Sequence, residues 1–451
     1  MPTIVLPPGG GVSGYERPAL MALGDSLFNG VRTMSITAEM AEHSVPVMTA
    51  RAVNLPFIGV NYPDDRELLL DVEEALRGAL SVGALRQRVR DNAGRWLAWA
   101  KGGTLPTLRC VDNLGILSVN YDEANGTTAA EWLRRSLAAL EAIVDGTADP
   151  LDLVYEATIT TNAAFILNPR HDPDLARMSA VDQIVARKPR RLIFHLGNND
   201  GVFAAAFTLS DLDRQKAEMA KIPGKAAALM ARIAAVPEIE HIYFNLLVRP
   251  RWITNVVPPN WIAEPPVNAG YFQRYRNNLD DSRSVTGGVM RDLDEHVLKI
   301  NEETVRAVSQ RLGADSGRVV FNDLYTLSTQ FDGKHYGSRV RGLEIAGLGI
   351  ALRNTPFRVG GFGGFLDGGA SSLDNMHLSV PGYALLANDI ADAICDHEGL
   401  PGIPAKPGIG RPKQRIGYDW AFRADPVLAS PPRDFLIKKI LIKAAASALF
   451  R

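Results

Sequence analysis

Cysteine is scarce in this 451-residue chain: Cys110 and Cys395, far apart, exclude a disulfide scaffold and a cysteine-based zinc site. An excess of one charge is missing too, with 49 Lys and Arg against 50 Asp and Glu. Without a basic surplus to neutralise phosphates, no nucleic-acid partner is expected. No apolar run approaches the roughly 18 residues of a transmembrane span. Pro7, Pro8 and Gly9 to Gly11 break the start of the chain, and the apolar stretch Ala19–Leu23 is too short for a signal core. No secretory signal is therefore expected, which makes the expected location cytoplasmic or membrane-peripheral. Internal repeats are absent, and so is the Gly-x-Ser-x-Gly elbow of an ordinary α/β-hydrolase. Gly9 to Gly14 match a dinucleotide fingerprint only formally, with Pro7-Pro8 before them and no helix behind. His171 has no second histidine at ligand spacing, so it reads as part of a polar loop, and neither metal nor cofactor is expected. What is present is a hydrophobic content of 46%, that of a globular chain with a sizeable core.

Short apolar or β-branched runs alternate with helical segments, the pattern of a parallel sheet built by crossovers. Five strands are expected: Ala19–Leu23, Leu108–Leu117, Arg191–Leu196, His241–Val248 and Arg318–Leu324. Helices are expected over Ala130–Val144, Asp174–Arg187, Leu212–Ala235, Met290–Arg311 and Val380–Asp396, the last with Ser379 as N-cap and Pro381 in its first turn. The expected class is α/β, a three-layer α/β/α domain over residues 18–400 after an N-terminal extension, 1–17. Two insertions enlarge it. Residues 30–107 contain helical stretches Arg66–Arg77 and Leu80–Trp99, and residues 249–287 are rich in Pro, Asn and Trp (Trp252, Pro258, Pro259, Trp261, Pro265, Pro266). Both follow the C-terminal end of a strand, where open α/β sheets place ligand crevices, so they read either as lids and rims or as peripheral packing. Residues 401–433 form a proline-rich strap expected to lack regular structure. The chain ends in a basic amphipathic helix, 434–451, with Lys438, Lys439 and Lys443 on one face. It is suited to docking on its own domain, on a second subunit or on an anionic membrane surface.

Three polar clusters sit at predicted strand ends. Leu23-Gly24-Asp25-Ser26-Leu27 follows the first strand, where a serine hydroxyl is exposed ahead of a helix N-terminus whose N–H groups can hold an oxyanion. Gly24 permits the tight turn. Gly197-Asn198-Asn199-Asp200-Gly201 follows the third strand, either as hydrogen-bond donors to a developing negative charge or as an Asx-rich turn. His195 just before it reads as a packed structural histidine. Asp374 and His377 lie near the start of the last helix, spaced so that the carboxylate can orient the imidazole as a general base. Gly360 to Gly364, Gly368 and Gly369 read as a flexible loop leading to Asp374.

In that order, Gly24-Asp25-Ser26-Leu27, Gly197-x-Asn199-Asp200 and Asp374-x-x-His377 resemble three of the four blocks of the GDSL (SGNH) hydrolases. LGNNDGVFAAA and SSLDNMHLSVPGYALLANDIADAI look like bacterial lipase and esterase members, and FNDLYTL is similar to a segment they carry after the fifth strand. The resemblance spans roughly residues 18 to 398. It implies a flavodoxin-like SGNH fold with Ser26 as nucleophile, His377 as general base and Asp374 as its partner. The Ser26 N–H and the Asn199 side-chain amide become oxyanion donors, Gly197 shapes its turn, and Asp25 and Asp200 support their loops. The remaining block, normally a glycine, aligns with Ser118, and Gly115 lies just upstream. Its role is a backbone N–H, which serine retains, although a Cβ there narrows the acyl pocket or tilts the amide. Losing one such donor costs about 100- to 1000-fold in turnover.

The expected activity is that of a carboxylesterase or lipase acting on short to medium acyl esters, with a small-molecule or lipid ester as substrate. Protonation of the imidazole should cut activity at acid pH. Two readings from other classes stand beside it: a non-catalytic lipid-binding or scaffold protein on the same fold, and an acyltransferase or deacetylase.

Overall fold

Runs such as Met21–Gly24 and Arg191–His195 are buried at every position, as a strand covered on both faces requires. The computed structural model describes residues 17–63, 67–78, 80–105, 108–258, 270–278, 282–336, 343–359, 366–403 and 413–429. Residues 1–16, Gly360 to Gly364, Pro259, Trp261, Pro265, Pro266 and the expected helix over 434–451 lie outside these. The central sheet contains β1 (Met21–Gly24), β2 (Asn113–Gly115), β3 (Arg191–His195), β4 (His241–Asn245) and β5 (Val319–Asn322). Its order is β2-β1-β3-β4-β5 and every pairing is parallel. Gly24, the last residue of β1, lies beside Gly115 of β2 and His195 of β3, so three strands end side by side.

All five expected strands are present, and the second, fourth and fifth are markedly shorter than anticipated. Leu108–Leu117 contracts to β2: Asp112 still accepts from Ala22 N–H of β1, but its own N–H and its side chain are engaged by the backbone of Ile58. Past Asn245, the fourth strand leaves the sheet where the Asn301 side chain brackets both backbone groups of Leu247.

The helices that bear on the site are α1 (Ser26–Asn29), α2 (Val72–Arg77), α3 (Val82–Ala100), α4 (Ala129–Val144), α5 (Pro150–Leu167), α6 (Ile222–Ala234), α7 (Gly287–Leu312) and α8 (Val380–Glu398). With α6 packed on α7, α4 on α5, and α8 on the helix Val45–Val53, the α/β arrangement is compatible with three layers. Two expected helices are split. Asp174–Arg187 divides into Pro173–Ala176 and Ala180–Arg187, because Ser179 opens a new capping box with Asp182. Leu212–Ala235 divides into Leu212–Met219 and α6, whose first turn contains Pro223.

The strap also departs from expectation. Within residues 413–429 it forms helices Tyr418–Ala424 and Pro426–Ala429; Pro426 begins a helix rather than preventing one. The insertion 249–287 contains a three-stranded antiparallel sheet of Val256–Val257, Arg274–Asn277 and Ser284–Thr286. Among the described residues no helix is long and apolar enough to cross a membrane.

Candidate active site

The turn after β1 is shaped by close approach. A Cβ on Gly24 would lie 2.5 Å from the Phe28 ring, so only glycine lets α1 fold back over the strand end. Asp25 caps α1, accepting from Leu27 N–H at 3.0 Å, and its other oxygen accepts from Asn198 Nδ2 at 2.9 Å. Asp25 therefore ties the end of β1 to the end of β3. Ser26 is the first residue of α1 and is 2% exposed. Asn29, one turn on, donates to Gly115 O at 2.7 Å and so joins α1 to β2.

Beyond β2, Ser118 has φ +64°, the left-handed backbone that glycine adopts freely. Leu117 N–H donates to Asn162 Oδ1 of α5 at 2.9 Å, and Val119 O accepts from Asn199 Nδ2 at 3.0 Å. Ser118 is thus held between two fixed neighbours at the strand ends. Gly115 is differently employed: its N–H donates to Asn113 Oδ1 at 3.0 Å, and a Cβ there would meet the Phe28 backbone at 2.5 Å. Of the two, Gly115 has its amide committed and its space filled.

After β3, Gly197 has φ +110° and begins an irregular turn over Asn198–Val202. Asn198 bonds Asp25 and also lies 2.7 Å from His195 Nε2. With that nitrogen accepting, His195 carries its proton on Nδ1 and turns it toward Asn245 O at 3.3 Å, the structural role its sequence position implied. Asn199 keeps a second amide hydrogen beyond the one given to Val119. Asp200 accepts from Tyr121 N–H at 3.2 Å and from Lys225 Nζ at 2.8 Å, so it braces the loop after β2, and burial raises its carboxyl despite the lysine.

Asp374 and His377 lie in a turn before α8, not within its start, because Ser379 is the cap. The imidazole Nδ1 is 2.7 Å from Asp374 Oδ2, and both side chains are buried. Asp374 Oδ1 accepts from Met376 N–H at 2.9 Å, His377 N–H at 2.8 Å and Ser372 Oγ at 3.0 Å; Oδ2 also accepts from Met34 N–H at 2.9 Å. Burial opposes ionisation here, yet the adjacent imidazole and these N–H donors outweigh it and bring the carboxyl down to about 2. The buried His377 Nε2 makes no hydrogen bond. The Met34 contact fixes this pair to the loop that leaves α1, and the buried Tyr383 ring feels the charges of both Asp25 and Asp374.

Helix α5 was not anticipated, because buried residues occur all round it and leave no apolar stripe to read. It brings Asn162 to Leu117 and to the Tyr62 hydroxyl at 2.6 Å, and Tyr155 within the field of Asp374. The insertion after β4 abuts the same turn: Asn255 N–H donates to Asn375 O at 2.9 Å, and Thr254 Oγ1 meets Ser371 Oγ at 2.6 Å. Lys334, from the segment after β5, is buried against this insertion and donates to Ile253 O and Val256 O at 2.7 and 2.8 Å. These described residues form a fixed buttress. Gly368 and Gly369, expected in a flexible loop, are buried, and Gly369 O accepts from Ser379 Oγ at 2.6 Å. His171 Nε2 meets Trp99 O at 2.8 Å in a polar loop, and among the described residues no three His, Cys, Asp or Glu side chains gather as a metal site. No family model matches the chain, and no curated protein sequence matches it either.

Proposed function

We propose that this chain is a serine ester hydrolase of the GDSL (SGNH) type, acting on short to medium acyl esters. The observation that carries the reading is the Asp374–His377 pair, tied through Met34 to the loop behind Ser26 while His377 Nε2 is left unbonded. The strand order 2-1-3-4-5 supports it, being the flavodoxin-like order in which ligands bind where the β1 and β3 connections diverge. Ser26 and Asn199 follow those two strands. The left-handed backbone of Ser118 supports its assignment to the block where the family carries glycine.

In this mechanism Ser26 Oγ attacks the ester carbonyl and gives its proton to His377 Nε2. The Ser26 N–H, the second hydrogen of Asn199 Nδ2 and the Ser118 N–H hold the tetrahedral oxyanion. Collapse expels the alcohol, protonated by His377, and leaves an acyl-Ser26 ester. Water, deprotonated by His377, then releases the acid. Asp374 holds the imidazole in the Nδ1–H tautomer throughout.

The test is hydrolysis of p-nitrophenyl esters from acetate to palmitate by wild type and Ser26→Ala. Wild type should turn over the shorter esters, and the variant should lose at least about 1000-fold in kcat while remaining folded. Equal inertness of both proteins, with Ser26 also refusing a fluorophosphonate probe, would leave the non-catalytic reading in place.

A further inference from the structure

The segment leaving α1 contains two consecutive non-glycine residues in the left-handed region, Thr33 at φ +48° and Met34 at φ +59°. Such backbone costs roughly 1–2 kcal/mol per residue and persists only when its surroundings hold it. On one side it meets the Asp374 turn. Thr33 N–H donates to Ser372 Oγ at 2.9 Å, Leu373 N–H donates to Thr33 Oγ1 at 3.2 Å, and Met34 N–H donates to Asp374 Oδ2 at 2.9 Å. On the other side it meets Glu73 of α2, whose Oε1 accepts from Thr33 Oγ1 at 2.8 Å. One hydroxyl thus separates Glu73 from the backbone next to Asp374.

Glu73 is itself held. It is 1% exposed, and Arg32 spans it with Nε at 3.4 Å from Oε1 and Nη2 at 3.2 Å from Oε2. The same guanidinium bonds Glu39 at 3.2 and 2.8 Å, and Glu39 in turn meets His43 Nδ1 at 2.7 Å. Asp425 completes the group; it accepts from Val380 N–H, the first residue of α8, at 2.9 Å, just beyond His377. Asp71 faces Glu73 from the cap of α2, and Tyr383 faces Arg32. A single buried guanidinium therefore serves several carboxylates. Burial raises the Glu73 carboxyl, Arg32 opposes the rise, and Asp425 and Asp71 add to it. A carboxylate kept here against that opposition is costly unless its hydrogen bonds are needed.

We propose that Glu73, fixed by Arg32, is a positioning residue: it locks the Thr33–Met34 backbone in the conformation that orients Asp374 and, through it, His377. The orientation stands on the contacts alone; its consequence for turnover rests on the esterase reading above. Part of the 30–107 insertion is then neither a lid nor decoration but the outer support of the acid–base pair.

The test is Glu73→Gln in the full chain, read by the downfield proton resonance of His377 Nδ1–H, assigned with His377→Gln, and by p-nitrophenyl acetate kinetics. Glutamine keeps the shape and removes the charge. The resonance should move upfield and exchange faster with solvent, and kcat should fall about 10-fold while KM changes less than about 2-fold. Should Glu73→Gln fail to fold, Thr33→Val removes the same hydroxyl link in an isosteric, β-branched side chain, with the same shifts expected and Thr33→Ser recovering them. An unchanged resonance overturns the proposal, whatever the turnover. A changed resonance in a chain whose wild type cleaves no ester supports the positioning role and sinks the esterase reading instead.

Discussion

The two ends of the central sheet are built from different chemistry. At the N-terminal ends of the strands, charges neutralise one another. Arg191 at the start of β3 pairs with Glu398, which also accepts from the Tyr243 hydroxyl at 2.5 Å; Arg187 pairs with Asp112, and Arg190 with Glu240 at 2.6 Å. At the C-terminal ends ion pairs stand behind the turns, Lys225 on Asp200 and Arg32 on Glu73, while the residues that follow the strands directly are mainly hydroxyls and amides, Asp25 and Asp374 accept from backbone N–H groups, and the imidazole of the Asp374 turn keeps Nε2 unbonded. An end whose ion pairs are closed holds the sheet together. An end that keeps hydrogen-bonding capacity in reserve can meet a substrate, and such sites are where perturbed carboxyls such as Asp374 are expected to gather.

The strongest way to break this contrast is Asp374→Asn. The amide cannot accept on both sides as the carboxylate does, so the imidazole loses its enforced tautomer, and kcat should fall by about 10⁴-fold with the fold intact. The same residue carries a stability signature of determinate sign. Its carboxyl is held at about 2, below the roughly 3.9 of an unfolded aspartate, so its contribution is fully present above that unfolded value and disappears as pH falls through about 2. Thermal melts between pH 5 and pH 2 should therefore show a smaller acid loss in Asp374→Asn than in wild type. If the variant keeps near-wild-type turnover on every ester, the C-terminal end is not a reactive site.

A smaller effect is expected at the opposite end, where it should be purely structural. Glu398→Gln strips a charge from the Arg191 and Tyr243 contacts, so it should cost about 1–3 kcal/mol in denaturant unfolding. Its carboxyl is lowered, burial opposing ionisation and Arg191 with Tyr243 overcoming it; the stabilisation is therefore present at neutral pH and lost on acidification. Turnover should stay within about 2-fold of wild type, since Glu398 lies at the far end of α8 from His377 and, among the described residues, no hydrogen bond joins this pair to Asp374 or His377. A 10-fold loss of kcat in a folded Glu398→Gln protein would erase the distinction between the two ends.

Much of this was legible from the chain because it depends on local chemistry. Apolar runs marked the five strands, and Gly24-Asp25-Ser26 and Gly197 announced the turns that end two of them, since a tight strand-to-helix turn demands those residues. The strand lengths were less readable; they are limited by distant side chains such as Asn301, whose bonds to Leu247 no local pattern reveals. Helix α5 escaped because its buried residues occur all round it, with only Asp152 and Glu156 exposed near its start. Glu73 and Arg32 escaped for another reason: a charged pair far apart in the chain looks like any solvated surface until the fold buries it. The proline-rich strap misled because prolines that start helices carry the same letters as prolines that prevent them.

The finest distinction between the two ends rests on Ser118, where the sequence departs from the pattern it resembles. Its backbone adopts the left-handed conformation that glycine takes freely, so the N–H that the proposed mechanism needs would be kept at the expense of strain, roughly 1–2 kcal/mol for a residue with a Cβ. Ser118→Gly removes that strain but gives the unfolded chain more freedom, which costs roughly 0.4–1 kcal/mol. The net expectation is a gain of about 0.5 kcal/mol in unfolding free energy, with kcat on p-nitrophenyl acetate unchanged or raised by less than about 3-fold. Ser118→Ala, which keeps the Cβ and the N–H and discards only the hydroxyl, should match wild type in both measurements. A 10-fold loss of turnover in Ser118→Ala would show that the hydroxyl itself touches the substrate. A comparable loss confined to Ser118→Gly would show that the Cβ is what holds the amide in place, and that the serine is an adaptation of this site rather than a tolerated departure from glycine.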